Sequence, residues 1–231
     1  MPSALVIILI VFNLLTFSAL VIFWRRLRRM KRRKTKIWSE HELAERAIGL
    51  RELAGIMNKF NVDWHVSGGT ALGIARNGDF IPWDWDVGVA VKREDFMNIW
   101  ADLITELQNK GFEITLVRTV TENRNEKILM TKFGQEYEIL SWALLGDYRV
   151  RKIHRRPSRF FDKVEYRNLR GFDYPLPSPL EDYLEEVYGD WRTPIRTSKR
   201  SVYFNQRNIM NRRSGLASMP RDDSNTNGKN T

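Results

Sequence analysis

The chain has 231 residues, 42% of them hydrophobic and 12% aromatic, and its 38 lysines and arginines outweigh 28 aspartates and glutamates for a net charge of +10. That length suits one medium domain with an appendage and excludes two large ones. With no cysteine there is no disulfide framework, thiolate metal site or cysteine nucleophile, so any metal falls to oxygen ligands or to the three histidines.

The charge is unevenly spread. Residues 1–36 carry nine basic and no acidic residues, residues 37–191 carry 20 basic and 26 acidic, and residues 192–231 carry nine basic and two acidic, giving +9, −6 and +7. An acidic middle between basic flanks argues against a nucleic-acid reader and for charge placed at a membrane surface or in tails.

Ala4 to Trp24 is an uncharged run whose only polar residues are Asn13, Thr16 and Ser18. At about 1.5 Å per residue it reaches about 30 Å as a helix, the thickness of a bilayer's hydrocarbon core. Arg25, Arg26, Arg28, Arg29, Lys31, Arg32, Arg33, Lys34 and Lys36 follow at once. A cleaved signal peptide would carry its charge before the apolar run and end in small residues. Residues 1–24 therefore read as an uncleaved single-pass transmembrane anchor and 25–38 as a polybasic juxtamembrane linker, with residues 4–36 meeting membrane lipid and its anionic headgroups. Basic residues prefer the cytoplasmic side, which favours a cytosolic over a lumenal position for the domain after the span. The lack of cysteine and of any Asn-x-Ser/Thr acceptor agrees with that side.

Ser39 followed by Glu42 has capping-box spacing, and Leu43, Ala47, Leu50, Ala54 and Met57 recur at helical intervals, predicting a helix from Glu40 to Phe60. Val62 to Ser67 reads as a strand running into Gly68-Gly69, and Thr70 starts a short helix that ends near Asn77-Gly78. Phe80 to Trp85 and Val87 to Val91 are strand-like runs around two aspartates. Arg93 to Lys110 has helical spacing in Phe96, Ile99, Trp100, Leu103 and Leu107, closed by Gly111. Further strands are expected at Phe112 to Val117, Ile128 to Phe133 and Tyr137 to Leu145, and the basic stretch Arg149 to Arg159 reads as a solvated loop, with a patch that meets an acidic glycan or a headgroup as the alternative. Tyr174 to Pro179 is an extended, proline-set segment before a helix from Leu180 to Tyr188. The fold class is mixed α and β over residues 39–197, and residues 198–231 read as a basic, largely disordered tail.

The stretch from Ser67 to Ala90 carries the chemistry. Gly68-Gly69 after a strand lets backbone N–H groups approach an anion, and the following helix adds its positive end, although an ordinary tight turn has the same residues. Asp84 and Asp86, two residues apart on a strand, point to one face. Two close carboxylates repel unless a cation sits between them, and hard oxygen ligands imply magnesium or manganese. Glu138, inside the apolar run Tyr137 to Leu145, can supply a third carboxylate as metal ligand or general base, or can be a surface strand residue. His41, His65 and His154 lack metal-ligand spacing, and His65 reads as a packing residue. Among the tryptophans only Trp85 is a candidate for the site wall.

These blocks together resemble the LicD family of nucleotidyltransferase-fold phosphotransferases, which includes fukutin and fukutin-related protein. The family pattern is Gly-Gly-Thr-x-Leu-Gly, a basic residue, Phe-Ile-Pro-Trp-Asp with alternating aspartates, and a later Tyr-Gly-Asp segment. Here these are Gly68 to Gly73, Arg76, Phe80 to Asp86, and Tyr188-Gly189-Asp190. The resemblance implies an α/β (α+β) nucleotidyltransferase-like fold with a mixed sheet flanked by helices. It implies that Gly68, Gly69 and Thr70 hold the phosphates of a CDP-alcohol donor, that Arg76 faces a donor or acceptor phosphate, and that Asp84 and Asp86 bind Mg2+ or Mn2+. Glu138 matches a position where the family often has Asp. The implied reaction moves a phospho-alcohol, such as phosphocholine or ribitol phosphate, from the CDP donor to a glycan or glycolipid hydroxyl, in a Golgi or ER membrane. One position departs: the family usually carries a third aspartate two residues after Asp86, where this chain has Gly88. A catalytically inactive homologue acting as a membrane-bound binding or scaffold protein is the alternative that Gly88 raises.

Overall fold

A computed structural model describes residues 36–119 and 126–196. The expected membrane span, most of the polybasic linker and the basic tail lie outside the described residues, and among the described residues no helix is long and apolar enough to cross a membrane.

The first helix, α1 (Glu40–Lys59), opens on the expected capping box, in which the Ser39 hydroxyl accepts from the Glu42 N–H and the Glu42 carboxylate accepts from the Ser39 N–H. Its stripe of Leu43, Leu50, Leu53, Ala54 and Met57 is buried. Next come β1 (Trp64–Ser67), α2 (Gly68–Asn77), β2 (Asp86–Lys92) and α3 (Arg93–Asn109). A run of strands follows, β3 (Glu113–Arg118), β4 (Lys127–Lys132), β5 (Gln135–Leu145), β6 (Tyr148–Arg151) and β7 (His154–Pro157). After a 3-10 turn (Ser158–Phe161), the hairpin β8 (Val164–Leu169) and β9 (Phe172–Pro177) leads to α4 (Leu180–Tyr188).

The main sheet is mixed, in the order β1-β2-β5-β4-β3, with β6 and β7 extending from the far end of β5. Strand β2 runs antiparallel to β1 and parallel to β5. Side chains alternate along a strand, so the buried Val87, Val89 and Val91 share one face with their partners Tyr137 and Ile139. Helices α1 and α3 cover that face, and the Tyr137 hydroxyl donates to the Arg46 carbonyl of α1. The opposite face carries Asp86 and Gly88 beside Glu136 and Glu138. Helix α2 packs over its β1 and β2 part.

Two expectations need correction. Phe80 to Trp85 is not a strand: the Asp84 N–H donates to the Ile81 carbonyl across Pro82 and Trp83, so the segment turns and β2 begins at Asp86. The apolar run fills a turn packed under α1, where the Trp38 N–H also donates to the Pro82 carbonyl. Arg149 to Arg159 is not a solvated loop but mainly the β6–β7 hairpin. Arg149 is buried against Glu94, and Arg156 lies 4.3 Å over the Trp142 ring. Its basic composition hid two strands, in which Arg149 pairs with Glu94 and Arg156 donates to the Tyr183 hydroxyl.

Candidate active site

The site grows from the point where β1 ends. Gly68 has φ +64, a left-handed conformation that suits glycine, and lets the chain pass directly from strand into α2. Gly69 is required for a different reason. A Cβ there would stand 2.1 Å from Asp84 Oδ2 and 2.8 Å from its Cγ, so the Asp84 carboxylate rests directly on the bare Cα. The two half-sites read separately in the sequence are thus in van der Waals contact.

Asp84 sits in the turn before β2, and three donors fix it. Its carbonyl accepts from Trp38 Nε1 at 2.5 Å and from an Arg46 guanidinium N–H at 3.1 Å, and its Oδ1 accepts from the Trp85 N–H at 3.0 Å. Arg46 is fully buried on α1, between the rings of Trp38 and Phe80, with Nε donating to Gln135 Oε1 at 2.7 Å. Gln135 in turn donates to the Glu42 carbonyl. Arg46 thereby holds the aspartate loop by its backbone, while the Asp84 carboxylate lies against Gly69. Sequence reasoning missed it. The available signal was a basic residue in the apolar stripe, three after Leu43 and four before Leu50.

Asp86 opens β2 opposite Glu136, and the next residue on that face, Gly88, lies opposite Glu138 on β5 and Ser67 on β1. A Cβ at Gly88 would lie 3.4 Å from Ser67 Oγ and 3.9 Å from Glu138 Oε1. The fold therefore brings the Glu138 carboxylate beside the position where the third aspartate is missing. The Gly88 N–H donates to the buried Thr70 hydroxyl at 3.4 Å, which ties α2 to the central strand.

The electrostatics follow from this crowding. Burial, opposed by Arg46 and assisted by Glu138, pushes the Asp84 carboxyl up to about 6. Burial, then Glu138, Asp84 and Glu136, raises Asp86 well above the usual carboxylate range. Asp84 and Asp86, half-buried near one another and near the Glu138 carboxylate, are hard oxygen donors of the kind a divalent cation takes. Among the described residues no group of three His, Asp or Glu side chains is already gathered at ligating distance, so Asp84 and Asp86 are the pair that could hold such an ion, with Glu138 at hand.

Gly68, Gly69, Thr70, Asp84, Asp86 and Glu138 are thus brought to one end of the sheet. Arg76 is not among them. It lies in the last turn of α2, where its Nε donates to Asn77 Oδ1, about 9 Å further along the helix than Thr70. His65 packs edge-on against Phe161 at 4.9 Å and is buried, as expected of a packing residue. A second clamp that the sequence did not reveal is Arg170. From the β8–β9 turn it pairs with Asp79 and with Glu40, fixing the loop that leads to Asp84.

Comparison with known proteins bears on this site. A family profile described as "LicD/FKTN/FKRP, nucleotidyltransferase domain" matches residues 61–178, a little over half of the chain. The human and mouse proteins named ribitol 5-phosphate transferase FKRP are each 42% identical over 48 residues, which is 21% of this chain and 10% of theirs. The match thus spans about a tenth of the length of these curated relatives. Among solved structures, the antibiotic-resistance factor ANT(2″)-Ia aligns with a TM-score of 0.46 at 12% identity, over 69% of this chain and 80% of its own.

Proposed function

The chain belongs to the LicD family, and from that premise we propose that it is a divalent-metal-dependent transferase that moves a phospho-alcohol from a CDP-linked donor to a glycan or glycolipid hydroxyl. The observation that carries the reading is the seat of Asp84 on Gly69, which joins the glycine turn to the carboxylates Asp86 and Glu138 in one site. A phosphate at the start of α2 would lie against the Gly68–Gly69 backbone, where free N–H groups and the positive helix end attract it. Asp84 and Asp86 would hold Mg2+ or Mn2+, whose contribution is to neutralise charge on the phosphates. Glu138, half-buried beside the gap at Gly88, would accept the proton of the attacking hydroxyl. In the transfer a bond forms from the acceptor oxygen to the alcohol-bearing phosphorus, the anhydride bond to CMP breaks, and the hydroxyl proton leaves through Glu138. Arg46 keeps the aspartate loop in place throughout. The reading includes membrane attachment through residues 4–36.

Gly88 supports a second reading, a binding protein that has lost catalysis. Calorimetry of the full chain in mild detergent, with Mn2+ and either CDP or CMP, tests the metal and nucleotide site that the transferase reading requires. The transferase reading expects metal-dependent nucleotide binding that is lost in both Asp84→Asn and Asp86→Asn. A folded wild-type protein that binds neither metal nor nucleotide would overturn it.

A further inference from the structure

The sheet face that carries Asp86 and Glu138 carries a second charged group. Strand β4 lies between β5 and β3, and its first residue, Lys127, pairs with Leu140 on one side and with Arg118 on the other. Paired residues project from the same side of a sheet and side chains alternate, so Lys127 and Arg118 share the face of Glu138, which pairs with Leu129 on that strand. Arg151, only 8% exposed, ends β6 just beyond the Val150–Ala143 pair that joins β6 to β5. Half-buried Lys127 responds to all of them. Burial pulls its ammonium pKa down, Glu138 and Asp86 push it up, and Arg151 and Arg118 pull it down again.

Like charges directly opposite on neighbouring strands repel, and partial burial of one adds a desolvation cost. Such a cluster needs a counter-charge. Asp86 and Glu138 supply negative charge on this face, and Lys127 and Arg118 stand in register as positive neighbours. A divalent ion on the carboxylates would take up the negative charge that offsets these cations, and a second phosphate would replace it. Lys127 and Arg118 lie on the β4 and β3 side of the carboxylates, and the glycine turn lies on the β1 side.

We infer that Lys127, backed by Arg118 and Arg151, binds the distal, alcohol-bearing phosphate of the donor, while the glycine turn meets the nucleoside-side phosphate. This rests on the nucleotide-donor reading above and adds a residue which that reading does not name. The group recognised is a phosphate beyond the first, so CDP and CMP are the discriminating probes. In calorimetry of the full chain with Mn2+, Lys127→Met, which keeps the length of the stem, weakens CDP binding about ten- to hundredfold, as loss of a charge-assisted hydrogen bond does, and leaves CMP binding nearly unchanged. Lys127→Arg restores most of the CDP affinity. Equal CDP affinity in wild type and Lys127→Met, or equal loss of CDP and CMP, overturns the inference. If wild type binds no CDP, the donor reading fails on its own, and inorganic pyrophosphate becomes the probe. Pyrophosphate binding that Lys127→Met abolishes still supports the anion site, and its absence or indifference to that change refutes it.

Discussion

The contact between Gly69 and Asp84 makes a prediction whose sign differs from the one that helix propensity alone gives. In a helix, alanine in place of glycine is worth roughly 0.5–1 kcal/mol of added stability. Gly69 lies in the first turn of α2 and its φ is not in the left-handed region, so backbone strain offers no objection to alanine. The objection is Asp84. The new methyl would stand 2.1 Å from Oδ2 and 3.1 Å from Oδ1, and the aspartate cannot retreat as a unit because Trp38 and Arg46 hold its carbonyl. The carboxylate must rotate away, giving up the hydrogen bond from the Trp85 N–H, about 1 kcal/mol, and overpacking adds about 1–3 kcal/mol. After the propensity gain, Gly69→Ala is destabilising by about 1–3 kcal/mol, a fall of roughly 2–12 °C in unfolding midpoint for a domain of this size. It also misplaces a proposed metal ligand. Thermal unfolding followed by circular dichroism reads the first effect and Mn2+ titration the second. A variant as stable as wild type, or more so, refutes the seating of Asp84 on Gly69 and with it the joined site.

Two further substitutions in α1 have opposite expected signs. A Cβ at Gly49 would meet the buried Tyr137 hydroxyl at 2.1 Å, so Gly49→Ala costs about 1–3 kcal/mol; Gly55 is exposed with nothing within 4 Å, so Gly55→Ala gains about 0.5–1 kcal/mol, both read as urea midpoints at constant slope. Burial, with help from Arg156, pushes His65 down to about 3. The unfolded chain then holds the extra proton between about pH 3 and its ordinary value near 6.5, so His65 favours folding above that window and loses its contribution as pH falls through it. The stability of His65→Leu relative to wild type should therefore improve by up to about 1.4 kcal/mol per pH unit from pH 6.5 down to 4.5. A pH-independent difference would show that His65 takes up its proton in the folded state.

The helices were legible because their signals are local. The Ser39–Glu42 capping box, the apolar stripe of α1, Gly78 after α2 and the spacing of Phe96, Leu103 and Leu107 in α3 each depend on residues three or four apart. The ordered motif blocks likewise disclosed the family and nominated Gly68, Gly69, Asp84, Asp86 and Glu138 without coordinates. Strand edges were harder. In Phe80 to Trp85 apolar composition mimicked a strand, although Pro82 and the Asp84 to Ile81 hydrogen bond make it a turn. In β6 and β7 arginines concealed two strands, because pairing with Glu94 and stacking on Trp142 are contacts to distant parts of the chain.

Residue types and their order suffice for a mixed α and β domain with an acidic pair after a glycine turn. How those residues meet depends on contacts between distant parts of the chain. That Asp84 lies on Gly69, that Arg46 reaches its carbonyl across 38 positions, that Glu138 flanks the gap at Gly88 and that Lys127 faces Arg118 follow from the register of β1, β2, β5, β4 and β3. Register is set by burying one complete face of the sheet under α1 and α3, a collective condition that local sequence patterns do not record.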